Sequence, residues 1–282
     1  MLAWLSAHHA GGELQLRIDD LDPNVSRLEH EVQQLADLDA IGVTFSGLAL
    51  RQSERSQRYD DAIAQLEETG VLYACFCSRR EVREAAQAPH VHLPEGAYPG
   101  TCADLSKAEQ IERSRHRPAA LRVRSGHPTI KFVDRHYGEQ SEFVDDFVVQ
   151  RNDGVASYNL ATVLDDADQG VSEVVRGADL LPGTARHIWL RDVLGLDEVE
   201  HAHVPLMVDD AGDRLAKRGG GVNLAELDEL GYGAGDIRRQ LAVGIGLWRA
   251  DQAEVPSMDD LVERFDPATL PTNNTVWQLP DS

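Results

Sequence analysis

Two stretches patterned for a layered α/β core are separated by a segment that is a poor match to one and reads better as an insertion. From Ser78 to about Arg117 the chain turns polar and irregular, carrying Pro89, Pro94, Pro99 and the string Gly96-Ala-Tyr-Pro-Gly-Thr-Cys102. Proline fixes φ and removes a backbone donor, so this density of prolines breaks strands and helices alike. The core is therefore expected from what lies on either side.

On the N-terminal side, Leu14-Gln-Leu-Arg-Ile18 alternates and runs into Asp19-Asp20-Leu-Asp22-Pro23, which predicts a short buried strand ending in an acidic loop. Ser26 with Glu29 reads as a capping box, and Leu28, Val32, Leu35 and Leu38 continue at helical spacing to Ile41-Gly42. Residues 56–68 repeat the pattern with Tyr59, Ile63 and Leu66 on one face, and 71–75 predict a strand. The order is β-α-α-β. On the C-terminal side, apolar alternation returns at 120–124 and 146–150, and Arg151-Asn-Asp-Gly154 predicts a hairpin turn before Val155 to Leu160. A strand at 171–175, a helix over about 184–194, a strand at 203–208, a glycine-rich loop at 219–221 and a helical stretch complete the pattern. The expected fold class is α/β, with a first catalytic-type part at 1–74, an insertion at 75–144, a second part at 145–221 and a helical C-terminal region at 222–282.

Charge narrows the partners. A formal net charge of −21 argues against a chain-wide basic surface, so any nucleic acid must be met by a local patch; DNA binding is not expected. No run of eighteen apolar residues is present, and the segment from Met1 to Ala10 has no signal-peptide character. A cytoplasmic monomer without a membrane span is the expectation.

Cys75-Phe-Cys77 and Cys102 place every cysteine of the chain within 28 positions. Two thiolates at C-x-C spacing plus a third from a later turn can grip Zn²⁺ and leave one tetrahedral position to fill. On side-chain chemistry alone His90 or His92 is preferred, because neutral imidazole ligates zinc at pH 7 whereas a phenol must first lose a proton. The alternative is three buried thiols, although the surrounding loop has too few apolar residues to bury them. Further on, Asp213-Arg-Leu-Ala-Lys217-Arg218 stands directly before three glycines, so two cations and a row of backbone N–H groups can gather on a polyanion; a solvated charged turn is the plain alternative. Arg176 follows a core strand at the end where α/β sheets bind ligands, with a surface salt bridge as its plain alternative. Tyr158, taken alone, reads as a core aromatic.

In order along the chain, Leu16-Arg-Ile-Asp-Asp-Leu-Asp-Pro23, Cys75-x-Cys77, Tyr98-Pro-Gly-Thr-Cys102, Tyr158-Asn-Leu-Ala161, Val174-Val-Arg-Gly-Ala-Asp179 and Arg214-Leu-Ala-Lys-Arg218 resemble the glutamyl-Q tRNA(Asp) synthetase family. Those enzymes look like a glutamyl-tRNA synthetase without its anticodon-binding half. The resemblance implies a class I Rossmann-like catalytic domain with an inserted zinc-bearing α/β subdomain. It implies that Asp19, where the family has glutamate, together with Tyr158 and Arg176 holds glutamate, and that Lys217 serves ATP as the catalytic lysine. It implies Cys75, Cys77, Tyr98 and Cys102 as ligands of one structural zinc, against the preference for histidine on chemistry alone. ATP, with Mg²⁺, would be a substrate, and the product would be glutamate attached to queuosine in the anticodon of tRNA(Asp).

Two departures from the family qualify those expectations. Its opening strand, with an Ala-Pro-Ser-Pro-Thr-Gly segment and a His-Ile-Gly-His-like signature, is absent, so the expected sheet lacks its first strand and the ATP site a part; a misplaced start codon is the preferred explanation. Asp19 is one methylene shorter than glutamate, and Ala216 replaces a hydroxyl residue. The competing expectations are a non-catalytic, zinc-stabilised tRNA-binding paralogue and a fragment of a glutamyl-tRNA synthetase, the latter disfavoured by the Tyr-x3-Cys string.

Overall fold

A computed structural model describes residues 1–87, 93–94, 97–213 and 223–277. The chain opens with α1 (Leu2–His9), which buries Trp4 and Leu5, and the Trp4 indole donates to Thr44 Oγ1 at 3.1 Å. Strands β1 (Gln15–Ile18) and β2 (Ser46–Arg51) pair in parallel and are joined by α2 (Leu28–Ala40). Helix α2 starts one residue later than a Ser26 cap would place it, with Arg27 at the N-cap and no side-chain cap. The Asp22 turn explains this: Asp22 accepts from the Asn24 backbone and the Ser26 N–H bonds to the Asp22 carbonyl, which draws Ser26 into the turn.

Helix α3 (Ser56–Glu68) buries Tyr59, Ala62, Ile63 and Leu66, the face its periodicity predicts. Strand β3 (Leu72–Cys75) then leads into the polar segment. Short helices α4 (Arg79–Ala86) and α5 (Lys107–Ser114) form there, each started by a capping box, Ser78 with Glu81 and Ser106 with Glu109. Strands β4 (Ala120–Val123) and β7 (Val148–Gln150) complete an antiparallel sheet in the order β3-β4-β7. Between them, β5 (Thr129–Asp134) and β6 (Gly138–Phe143) form a hairpin that joins a different sheet. Its order is β6-β5-β9-β8, with β8 (Glu173–Gly177) and β9 (Glu200–Val204) parallel.

Residues 158–160, expected to continue extended, are helical. Ser157 accepts from the Leu160 N–H and so starts α6 (Tyr158–Asp168) immediately after the turn. The predicted helix α7 (Thr184–Leu194) follows, ended by Gly195 at φ 66°. Strand β10 (Met207–Val208) pairs with β11 (Thr275–Val276), and α8 (Leu224–Glu229), α9 (Ala234–Gly244) and α10 (Met258–Arg264) make up the C-terminal helices.

Two large cores result. One joins α3, α6 and α7 to β4 and β7 through Leu66, Val123, Val149, Leu160, Leu164 and Leu190; the other packs α1 against α9 and α10 through Leu5, Ala242, Trp248 and Leu261. Parallel pairing occurs in three sheets among the described residues: β1-β2, β5-β9-β8 and the short β10-β11 pair. Along the gap between β1 and β8 runs a groove of about 790 Å³, lined by Ala3 and Ala7 of α1, by Leu14, Leu16, Arg17 and Asp19, and by Val171 to Val175. Among the described residues no strand bridges that groove.

A polar pocket around Arg176 and a cysteine cluster

The end of β8 carries Arg176, paired in register with His203 of β9. Its guanidinium is held on three sides: Nε donates to His203 Nε2 at 3.0 Å, Nη2 to Thr184 Oγ1 at 3.0 Å and the Leu180 carbonyl at 3.4 Å, and Nη1 to His187 Nδ1 at 3.3 Å. Behind His203, Nδ1 lies 2.7 Å from Asp134 Oδ2; behind His187, Nε2 lies 3.2 Å from Asn159 Oδ1. Arginine has no acceptor, so each ring must present a lone pair to it and carry its proton on the far nitrogen. The two histidines are therefore neutral and of opposite tautomer. Burial, the largest influence on both, pushes their pKa values down, well below the usual range for His187, and the Arg176 charge adds to that.

The electrostatic consequence is that, among the described residues, Arg176 is positioned without being neutralised. Among the described residues no carboxylate forms an ion pair with it. Glu142, near enough to feel its field, is itself pushed towards the neutral form by burial. A guanidinium held by neutral acceptors keeps its charge for a ligand, and one N–H on Nη1 remains uncommitted to the contacts above. Tyr158 stands at the first position of α6, 48% exposed, its ring 5.7 Å from that of His187. The reading of this tyrosine as a core aromatic is thereby overturned, since the helix start turns it outward beside the pocket.

Asp19 is placed differently. Its carboxylate accepts from Arg17 Nε at 2.8 Å, and Arg17 in turn pairs with Asp166 of α6. Asp19, Arg17 and Asp166 all line the groove that runs along β8. The structure thus joins Tyr158 and Arg176 through His187, with Asp19 in the groove beside the strand that carries Arg176. Lys217 lies outside the described residues, as do His90 and His92.

The three cysteines come together at the end of β3, with their sulfur atoms within 4.8 Å of one another. Cys77 Sγ is 3.5 Å from Cys102 Sγ, and Tyr98 Oη is 3.4 Å from Cys75 Sγ and 3.5 Å from Cys77 Sγ. Tyr98 is 1% exposed, and burial pushes its phenol up and the Cys77 thiol up to about 12. Three soft thiol donors and one hard phenol oxygen converging on one point suit a tetrahedral Zn²⁺, which would replace the protons these groups otherwise keep. Arg122 stacks over the Tyr98 ring with its guanidinium carbon 3.8 Å from the centroid and donates through Nε to Cys75 Sγ at 3.2 Å, so a cation flanks the donor set.

The profile of the family described as tRNA synthetases class I (E and Q), catalytic domain, matches residues 1–278. The glutamyl-Q tRNA(Asp) synthetase of Nocardia farcinica is 45% identical over 283 residues, covering 100% of this chain and 87% of that protein. This chain belongs to that family. Its members are ligases of the class I aminoacyl-tRNA synthetase type, and this chain is an enzyme of that type. The family protein of Symbiobacterium thermophilum is 40% identical over 96% of this chain and 87% of its own length. Among solved structures, the glutamate–tRNA synthetase of Elizabethkingia anophelis superposes with a TM-score of 0.79 at 25% identity. The chain spans 98% of itself but only 63% of that larger synthetase.

Set against the family, the ordered motifs lead to Arg176 and Tyr158 but not to the residues that hold them. His187, His203, Thr184 and Asp134 belong to the same network and stand outside every motif, whereas Asn159 falls within the Tyr158-Asn-Leu-Ala161 string without being singled out there. A signal was present for one of them: His201-Ala-His203 alternates in a strand, which puts both imidazoles on one face. No helix among the described residues is long and apolar enough to cross a membrane.

Proposed function

We propose that this synthetase activates glutamate with ATP, without tRNA, and transfers it to queuosine in the anticodon of tRNA(Asp). The observation that carries the reading is Arg176, which forms an ion pair with no carboxylate among the described residues and is fixed at a sheet end beside the half-exposed Tyr158. A carboxylate is the ligand such a guanidinium accepts best, through short charge-assisted hydrogen bonds. The names of the relatives point to glutamate, queuosine and tRNA(Asp).

The chemistry asks for positioning rather than for a side-chain nucleophile. One carboxylate of glutamate is held by Arg176, with Tyr158 and Asp19 shaping the site. A carboxylate oxygen attacks the α-phosphorus of ATP in line; the new O–P bond forms as the bond from the α-phosphorus to the bridging oxygen breaks, and pyrophosphate leaves with that electron pair. Lys217 neutralises charge on the leaving group, with Mg²⁺ as the companion of ATP. A nucleophilic hydroxyl of the queuosine then displaces AMP from the adenylate. Zinc is structural in this reading: Cys75, Cys77, Tyr98 and Cys102 would hold it, and it would cross-link β3 to the loop at 98–102.

The test is transfer of labelled glutamate in the presence of ATP to tRNA(Asp) carrying either queuosine or guanosine in the anticodon. Label retained only by the queuosine-bearing tRNA is expected. Equal labelling of both, or labelling of a tRNA(Glu) acceptor end instead, would refute the assignment of the acceptor.

A further inference from the structure

We infer that Asp134 and His203 are positioning residues that hold Arg176 for a substrate carboxylate; this rests on the proposed role of Arg176 above. Asp134 ends β5, 1% exposed, and its carboxylate accepts the backbone N–H groups of His136 at 3.0 Å, Tyr137 at 2.9 Å and His203 at 3.0 Å, besides the imidazole. A carboxylate anchored by three backbone donors cannot swing towards Arg176. It can only accept, so the proton of the fully buried His203 sits on Nδ1 and the Nε2 lone pair faces Arg176 Nε.

Placing the acid one imidazole away serves two ends at once. The guanidinium is planar, and fixing Nε on His203 and Nη2 on Thr184 sets the direction in which the remaining Nη1 donor points. A carboxylate in direct contact would have fixed the same orientation while cancelling the charge a ligand needs. The neutral ring transmits position and withholds charge. Thr184, 3.0 Å from Arg176 Nη2 and 3.3 Å from His203 Nε2, closes the third side of the arrangement.

Asp134→Asn keeps the shape but lets an amide N–H face Nδ1, which moves the ring proton to Nε2 and turns an acceptor for Arg176 into a donor. In glutamate-dependent ATP–pyrophosphate exchange, the glutamate KM of Asp134→Asn should rise about tenfold, the loss of one hydrogen bond to a charged group, with kcat and the ATP KM within about twofold. His203→Gln, whose carbonyl can still accept from Arg176, should recover most of that affinity, whereas His203→Phe should not. Combining Asp134→Asn with Arg176→Gln should do no more than Arg176→Gln alone. Imidazole ¹⁵N shifts of the unsubstituted protein give a readout independent of turnover and should show His203 neutral with its proton on Nδ1. A proton on Nε2, an additive double variant, or a glutamate KM unmoved by Asp134→Asn but raised by Arg176→Gln overturns the relay alone. A glutamate KM unmoved by Arg176→Gln overturns the role of Arg176 and the relay with it.

Discussion

At the scale of single residues, the molecule holds its candidate pocket with neutral imidazoles in a low-dielectric interior. His201 is 4% exposed, with neither ring nitrogen hydrogen-bonded among the described residues, and is pushed down to about 4, by burial first and by Arg176 second. The unfolded chain binds that proton near pH 6.5, so stability is complete above 6.5 and is lost as pH falls towards 4. The effect is on the order of 3 kcal/mol for His201, with His187 and His203 acting in the same direction. His201→Phe, which replaces an unsatisfied ring by an apolar one beside Phe132, should flatten the decline in denaturation midpoint between pH 7 and pH 5; a decline as steep as that of the unsubstituted protein would refute the assignment. Sequence reasoning reached Arg176 and Tyr158 because motifs mark them. It missed His187 and Asp134 because their partners are 11 and 69 positions away, and only the packing of α7 and β5 on the β8–β9 pair brings them together.

Among the elements, α6 connects the two halves of the site. Its first residue is Tyr158, and its last turns carry Asp165, Asp166 and Asp168, which tie β1, α3 and the turn at Gln52 to the core. Asp165 is fully buried and accepts from Tyr59 Oη at 3.0 Å, Gln52 Nε2 at 2.8 Å and Arg55 Nε at 2.8 Å. Removing it would strand a buried phenol, an amide and part of a guanidinium, so Asp165→Ala should cost about 3–5 kcal/mol, read from denaturant unfolding. A loss under about 1 kcal/mol would show that water replaces the carboxylate without penalty. The helix itself was legible only in part. Its interior is apolar on one face, but the Asn-Asp-Gly turn before it suggested a continuing strand, and the deciding signal was the lone Ser157 cap. Within the polar segment, the Ser-x-x-Glu caps of α4 and α5 were the signals that its irregular composition hid, and the β5–β6 hairpin gave no sequence sign that it would extend the sheet of β8 and β9.

Across the whole molecule, the cysteine cluster lies at the end of β3 in the antiparallel sheet and the polar pocket at the end of β8 in the mixed sheet, and they contribute different things. The cluster stabilises a segment with little apolar surface of its own, around Cys75, Phe76, Tyr98 and Cys102. On the proposed zinc site, a chelator should lower thermal stability and increase proteolysis within 75–117 before it affects the rest; protein purified without zinc and equally resistant would contradict a structural metal. The motif order made the family legible from the sequence, and the profile match over residues 1–278 agrees with it. The placing of β1 and β8 in separate parallel-paired sheets on either side of a groove follows from pairing across the whole chain, which no local pattern encodes.

The most direct measurement is pyrophosphate exchange into ATP by this chain with glutamate as the only amino acid and no tRNA present. Exchange that requires glutamate, persists without tRNA and collapses in Arg176→Gln is the predicted result. Exchange that appears only when tRNA is added, or none with glutamate under any condition, would contradict the account.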